Sequence, residues 1–164
     1  MERLWSSWRL AYDTGSGEPK GCIFCDALAA DDAATLVLAR GASSFVILNL
    51  YPYNNGHLMV VPNRHIASLA AASPEELAEL MRLTQAAEAA LTEAYRPQGL
   101  NVGMNIGRPA GAGIADHMHI HVVPRWSGDT NFMSTLGMTR VLPEILEDTY
   151  RRLKTGWDAQ EGSA

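Results

Sequence analysis

Three histidines at alternate positions of one short segment are the residues most suited to chemistry. Residues 116–124 read DHMHIHVVP, so His117, His119 and His121 are separated by single apolar residues. Along a strand they would share one face, about 6.6–7 Å apart, and we expect that face to point outward and the apolar face inward. A solvated face rarely uses histidine, and the chain has only five. The pattern predicts metal ligation, acid–base chemistry or nucleophilic attack.

A glycine-rich loop precedes the histidine segment. Residues 107–113 read GRPAGAG, and their small side chains let backbone N–H groups approach an anion closely. Many glycines serve only to form turns, so the loop alone indicates little. Beside three histidines, it predicts a phosphate held next to an imidazole.

The two cysteines form a second candidate site. Cys22 and Cys25 are separated by two residues, a spacing that in a reducing cytosol favours a metal site over a structural disulfide. Zinc commonly takes four thiolate and imidazole ligands, so the pair supplies half of a site. His65 and His117 are the candidates for the other half. A buried pair of free thiols and a plain surface histidine are the alternatives.

Composition limits the classes of function. The 164 residues fit one domain, and 47% apolar residues are enough for a core. A formal net charge of −5 argues against a protein that coats nucleic acid. The first 17 residues lack the apolar core of a secretory signal, and no apolar run is long enough to span a bilayer. We therefore expect a cytoplasmic protein without nucleic-acid or membrane partners.

These residues must be positioned by helices and strands. The order of the predicted helices and strands indicates an α+β domain with a mainly antiparallel sheet. Ser73 as N-cap, Pro74 and Glu76 begin a long helix whose apolar residues recur at helical spacing to about Tyr95. A short C-terminal helix is expected over residues 142–154. Apolar runs predict strands at 35–40, 44–50, 57–62, 100–106 and 117–124. The predicted organisation is an arm at 1–20, a single domain at 21–155 and a tail at 156–164.

The histidine segment matches the pattern His-apolar-His-apolar-His-apolar-apolar, and other stretches match in order and spacing. These are NLYPYNNGHLMVVPNRH, residues 105–111 and HVVPRWSGDTNF. The chain resembles, over residues 2 to about 155, the histidine triad (HIT) family, in the branch of diadenosine tetraphosphate phosphorylases and fragile-histidine-triad hydrolases. The resemblance implies a HIT-like fold with one long helix and a C-terminal helix, usually as a homodimer.

The resemblance also implies residue roles. His119 would attack the α-phosphorus of a nucleotide and form a nucleotidyl-histidine, and His121 would contact the α-phosphate or the bridging oxygen. The implied nucleotide- and phosphate-binding residues are Asn49, His57, Asn105, Gly111, Ala112, Gly113 and His121. The implied ligands of a structural zinc ion are Cys22, Cys25, His65 and His117. Magnesium would arrive with the substrate.

Some of these roles have ordinary structural alternatives. His57 could be a histidine at the start of a strand that is bonded to the backbone. Asn49 and Asn105 could each stabilise a turn. Arg125 could meet a distal phosphate or be a solvated charge.

The sequence departs from the hydrolase pattern at one place. The usual Ala-Gly-Gln of that pattern is replaced here by Ala110-Gly111-Ala112. Loss of the glutamine amide leaves room for a second anion, which favours phosphorolysis of dinucleoside polyphosphates over hydrolysis. A nucleoside phosphoramidase and a non-catalytic, zinc-stabilised nucleotide-binding module are the competing interpretations. Binding alone does not need a nucleophile at position 119, which argues against the second.

Overall fold

A computed structural model describes residues 21–130 and 143–162, and the predicted N-terminal arm lies outside them. The described chain forms helices and strands in an α+β arrangement. The helices are α1 (Ile23–Ala29), α2 (Asp32–Thr35), α3 (Pro74–Tyr95) and α4 (Leu146–Glu161), and the strands are β1 (Val37–Arg40), β2 (Ser44–Leu48), β3 (Leu58–Pro62), β4 (Gly99–Gly103) and β5 (Ile120–Arg125). Single 3-10 turns lie at Leu69–Ala71 and Arg108–Ala110.

The five strands form one sheet in the order β1-β2-β3-β5-β4. Every pair of neighbours is antiparallel, as the sequence predicts. β3 and β5 are adjacent, and Met59 is the register partner of His121. The segments around His57 and the histidine triad therefore meet at the centre of the sheet.

The long helix begins and ends where the sequence predicts. Ser73 accepts a hydrogen bond from the Glu76 N–H, and the Glu76 carboxylate accepts one from the Ser73 N–H, which completes a capping box. The chain leaves the helix at Arg96, which adopts a left-handed conformation with φ of 45°. The helix buries residues such as Leu80, Ala87 and Leu91 against one face of the sheet.

Apolar clusters cover both faces of the sheet. The larger cluster lies between the sheet and helices α3 and α4, and it includes Met118, Ile120 and Val122. The smaller one joins Phe24 and Ala27 of α1 to side chains of β1, β2 and β3. The imidazole face of the triad segment is therefore covered as well, and His117 and His119 are 0% and 5% exposed. The expectation of an outward-facing imidazole surface is wrong for these two residues.

Two predicted boundaries differ from the structure. β5 begins at Ile120, so His117 and His119 precede it instead of pairing within it. The C-terminal helix runs over Leu146–Glu161, past its predicted end at 154, and the predicted start at 142 lies outside the described residues. Leu153 and Trp157 of α4 are buried in the larger cluster, so packing extends the helix through Gly156.

Candidate functional site

Hydrogen bonding fixes the tautomer of the central triad histidine. The His119 Nδ1 atom lies 3.0 Å from the backbone carbonyl oxygen of His117. A carbonyl oxygen can only accept, so Nδ1 carries the proton and Nε2 keeps its lone pair. Burial lowers the pKa of His119 below the ordinary value, although the His117 carbonyl opposes the shift. A neutral imidazole with an available Nε2 is the form that can act as a nucleophile.

His57 and His121 form a second hydrogen-bonded pair beside His119. The His57 Nδ1 atom accepts a hydrogen bond of 3.0 Å from the Tyr53 N–H, so the proton of the neutral ring is on Nε2. That Nε2–H donates to Nδ1 of His121 over 2.9 Å. His121 must then carry its own proton on Nε2, which makes it a hydrogen-bond donor. Its ring lies 4.8 Å from that of His119, centroid to centroid.

His57 makes the backbone hydrogen bond that was the alternative to a phosphate contact. The side chain is 0% exposed, and burial together with the nearby His121 and His119 lowers its pKa to about 3. It is therefore neutral at pH 7. The contact with a phosphate that the resemblance implies stays a prediction.

The turn that supplies the Tyr53 N–H is anchored at several points. The Asn54 side chain donates to the Pro124 carbonyl and to the Asp129 carboxylate. Gly56 has φ of 74°, a conformation that favours glycine. The segment YPYNNG, identified from sequence only as a turn, thus fixes a buried imidazole next to the triad.

Four predicted metal ligands from three separate parts of the chain lie together. The ligand atoms of Cys22, Cys25, His65 and His117 are all within 4.8 Å of one another. Three Sγ–Nδ1 distances are 3.2 Å, 3.3 Å and 3.7 Å. Ligands of a tetrahedral zinc ion, with bonds of about 2.0–2.3 Å, are about 3.3–3.8 Å apart. These three distances therefore fit a four-coordinate metal ion held by protein ligands alone.

The surroundings of His117 suit ligation through Nδ1. Its Nε2 lies 2.8 Å from the Pro62 carbonyl oxygen, so Nε2 carries the proton and Nδ1 faces the thiols with a lone pair. Burial lowers the pKa of His117 and raises the pKa of the Cys25 thiol. A bound cation would favour the Cys25 thiolate and so offset the rise in the pKa of that thiol.

Asn49 and Asn105, two other predicted binding residues, have hydrogen-bond partners within the protein. The Asn49 carbonyl oxygen accepts from the Tyr51 N–H, and its amide nitrogen is 3.3 Å from His57 Nδ1. The Asn105 amide donates weakly to the Gly111 carbonyl over 3.4 Å. Both asparagines thus make the turn contacts that were the alternative to substrate binding.

The glycine-rich loop uses two of its predicted anion donors internally. The Gly111 N–H donates to the Arg108 carbonyl, and the Ala112 N–H donates to the Gly107 carbonyl. Ala112 is buried, whereas Gly113 is exposed. A role of these residues in holding phosphate stays a prediction.

A cleft of about 410 Å³ opens beside His121 along β4 and β5. It is within the usual size range of small-molecule sites. The Arg125 guanidinium on its wall binds both carboxylate oxygens of Asp129 and donates to Asn101. The Arg125 side chain is 41% exposed, and a distal phosphate would have to compete with Asp129 for this cation. The cleft lining includes Tyr53, Asn101, Met104, Asn105, Val123 and Arg125.

Comparison with known proteins identifies the family. The HIT domain profile matches residues 31–128. The chain belongs to the histidine triad family. It is 43% identical to the AP-4-A phosphorylase of Mycobacterium tuberculosis, over 98% of this chain and 86% of that protein. It is also 34% identical to adenosine 5′-monophosphoramidase of Schizosaccharomyces pombe, over 63% of this chain and 74% of that protein.

A solved structure agrees with the fold. A zinc-bound histidine triad family protein from Mycobacterium smegmatis superposes with a TM-score of 0.71 at 26% identity, covering 88% of this chain and 98% of that one. The sequence predictions of the HIT family and of an α+β, mainly antiparallel fold are confirmed. Within the described residues, none of the helices is long and apolar enough to cross a membrane.

Sequence reasoning missed two contributors to the site. One is Phe24, whose ring packs on His117 and His119. Its position between the two cysteines was the available signal. The other is the backbone N–H of Tyr53, which sets the tautomer of His57 and which no side-chain pattern could reveal.

Proposed function

We propose that this histidine triad protein is an enzyme that transfers a nucleotidyl group from a dinucleoside polyphosphate, such as diadenosine tetraphosphate, through a covalent intermediate on His119. The observation that carries the proposal is the buried, neutral imidazole with its Nε2 lone pair available. The 43% identity to an AP-4-A phosphorylase over nearly the whole chain supports the substrate class.

The reaction proceeds in two displacements. The His119 Nε2 lone pair forms a bond to the α-phosphorus, the bond to the bridging oxygen breaks, and the remaining nucleoside polyphosphate leaves. The Nε2–H of His121 donates a hydrogen bond to the charge that develops on the bridging or a non-bridging oxygen. An oxygen of inorganic phosphate then attacks the α-phosphorus, the P–N bond breaks and a nucleoside diphosphate is released.

Phosphorolysis is favoured over hydrolysis in this proposal. Ala112 occupies the place of a glutamine amide in the hydrolase pattern, and it leaves space for the incoming phosphate. We propose Asn49, His57, Asn105 and the loop 111–113 as the nucleotide- and phosphate-binding residues. Magnesium enters with the substrate polyphosphate, which needs a hard cation with oxygen ligands.

A structural zinc ion completes the proposed enzyme. Its donors would be two thiolates and two imidazoles, and it would tie α1 to the segment that carries the nucleophile. Metal analysis of the purified protein tests this part, with about one equivalent of zinc expected. Purified protein that contains no bound zinc and has full turnover would contradict it.

Product analysis tests the reaction. Diadenosine tetraphosphate should give ADP and ATP in the presence of inorganic phosphate. AMP and ATP as the products, with no ADP although phosphate is present, would refute phosphorolysis. His119→Ala should abolish turnover and the trapped nucleotidyl adduct, because it removes the nucleophile. Met118→Leu is the control. Met118 is next to His119 in sequence, but its side chain packs in the larger apolar cluster on the other face of the sheet, and the change conserves volume.

A nucleoside phosphoramidase is the second candidate, favoured by the similarity to the yeast adenosine 5′-monophosphoramidase. It would use the same histidines with an amine as the leaving group. Comparing kcat/KM for adenosine phosphoramidate and diadenosine tetraphosphate separates the two reactions. A non-catalytic binding module would release no product from either.

We also propose a homodimer located in the cytoplasm. β4 lies at an edge of the sheet, four of its five residues are exposed, and an edge strand offers unpaired backbone groups to a second copy. The molar mass in solution, measured by light scattering during size exclusion, tests the dimer.

A further inference from the structure

Phe24 has no role in the reaction described above, yet its ring is packed against the triad. The residue is 1% exposed, and its ring centroid lies 5.4 Å from that of His117 and 5.0 Å from that of His119. A phenyl ring neither ligates a metal ion nor exchanges a proton. Its effect on the two imidazoles is therefore to restrict where they can move.

Helix α1, which carries Phe24, cannot hold this ring in place by itself. It has seven residues, far fewer than an isolated helix needs, and its N-cap residue Cys22 makes no side-chain capping bond. Three kinds of contact fix it: the smaller apolar cluster, hydrogen bonds from Arg40 to carbonyls near its C-terminal end, and the thiols at the metal cluster. Of these, the thiols of Cys22 and Cys25 are nearest in sequence to Phe24, on either side of it.

His117 provides a second connection between the cluster and the nucleophile. Its ring faces the two thiols through Nδ1, and its backbone carbonyl accepts the Nδ1–H of His119. A metal ion bound to His117 would therefore fix the residue whose carbonyl sets the tautomer of His119. Two of the contacts on the His119 ring, the Phe24 ring and this carbonyl, lead back to the same four ligands.

We propose that Phe24 is a positioning residue for the imidazole of His119, and that the ligands Cys22 and Cys25 hold it there. The proposal rests on the nucleophilic role of His119 proposed above. Small displacements of a reacting group are costly, since a 1 Å error can reduce the rate about 100-fold. The metal cluster would thus support the rate of the first displacement without touching the substrate.

The test compares Phe24→Leu with Phe45→Leu. Phe45 is the matched control because it is 0% exposed and belongs to the same apolar cluster, but it lies on β2, two strands away from β5. Both changes remove a buried phenyl ring and leave an apolar side chain. Stability, metal content, kcat, KM and the ¹⁵N imidazole spectrum of His119 are measured for each full-length protein.

Phe24→Leu should lower kcat about tenfold with KM within about twofold, because the nucleophile is less well placed while the substrate contacts remain. The His119 spectrum should change from a single Nδ1–H tautomer to a mixture. Phe45→Leu should lose similar stability but keep the kcat and the spectrum of the wild type. If Phe24→Leu fails to fold, Phe24→Met serves the same comparison, because the flexible methionine side chain can fill the space of the phenyl ring.

Equal kcat values and equal spectra for the two variants would overturn the proposal. A Phe24→Leu variant with raised KM and unchanged kcat would also overturn it, because that result would make Phe24 a substrate contact. A wild-type protein that forms no adduct at His119 would instead refute the proposed function, while the imidazole spectra would still report on positioning.

Chelation tests the contribution of the cysteines. Metal removal from the wild type should shift the His119 signals in the same direction as Phe24→Leu. In Phe24→Leu the same treatment should shift these signals less than in the wild type, because only the connection through His117 remains and coupled effects are not additive. Fully additive effects would show that the cluster does not act through Phe24 and would overturn that half of the proposal.

Discussion

At the scale of the residue, hydrogen bonding gives neighbouring histidines opposite proton arrangements. In His117 the proton lies on Nε2, which donates to the Pro62 carbonyl oxygen. In His119 the proton lies on Nδ1, which donates to the His117 carbonyl oxygen. The alternating spacing is identical for both, so spacing alone cannot distinguish a ligand from a nucleophile. The backbone acceptors leave a different nitrogen unprotonated in each ring, Nδ1 in His117 and Nε2 in His119.

Buried His57 should make stability depend on pH. Its pKa is lowered to about 3, with His121 and His119 facing it from the triad segment and the Tyr53 ring 4.6 Å away. The unfolded chain binds a proton near pH 6.5 and the folded one does not, so this contribution is present above pH 6.5 and decreases as the pH falls towards 3. One such proton changes the free energy of unfolding by at most about 1.4 kcal/mol per pH unit.

The measurement is urea unfolding of the wild type and His57→Gln at pH 7.0, 6.0 and 5.0. The variant should lose less stability than the wild type over this range, because its side chain does not titrate. Parallel curves for the two proteins would contradict the assignment of a strongly lowered pKa to His57.

At the scale of the element, local signals predicted α3 correctly because all of them lie within a few residues of one another. The capping box and the helical spacing of apolar residues set its start and its length. The end of α4 was missed because burial of Trp157 against the sheet outweighs the cost of about 1 kcal/mol for Gly156. The start of β5 was missed because strand pairing depends on a partner segment that the histidine pattern does not contain.

Ser73→Ala should lower the free energy of unfolding by about 1 kcal/mol, because α3 then loses the side-chain acceptor at its first turn. Ser68→Ala is the control, since Ser68 precedes a 3-10 turn and makes no capping bond with its side chain. Its effect should be within about 0.5 kcal/mol of zero. Chemical denaturation measures both, and equal losses would argue against the capping box as a source of stability.

Gly56→Ala should be more damaging than Gly128→Ala. Both glycines have positive φ, which costs about 1–2 kcal/mol for alanine. A Cβ at position 56 would also lie 2.9 Å from the buried Leu91 side chain, whereas one at position 128 meets no atom within 4 Å. Overpacking adds about 1–3 kcal/mol.

The two glycine variants should differ in activity as well as in stability. Gly56 ends the turn that places the Tyr53 N–H on His57, so Gly56→Ala should also reduce turnover. Gly128→Ala should leave turnover unchanged. Equal stability losses in the two variants would show that the space around Gly56 adapts to a methyl group.

At the scale of the whole molecule, the site joins segments that are far apart in sequence. The family resemblance predicted which cysteines and histidines meet, and the four side chains do lie together. Neither the burial of the imidazole face under α1 nor the covering ring of Phe24 was predicted. Both depend on how a seven-residue helix packs across the sheet, which is a tertiary contact without a local signal.

Metal removal should loosen one side of the molecule and leave the other intact. Helices α3 and α4 pack on the face opposite α1 in a separate and larger apolar cluster, so their stability does not depend on the cysteines. After chelation, we expect amide hydrogen exchange in Ile23–Ala29 to accelerate by about tenfold or more, while the centre of α3 keeps its protection. Uniform acceleration across the chain would mean that the metal ion supports global folding, because the two clusters would then unfold as one cooperative unit.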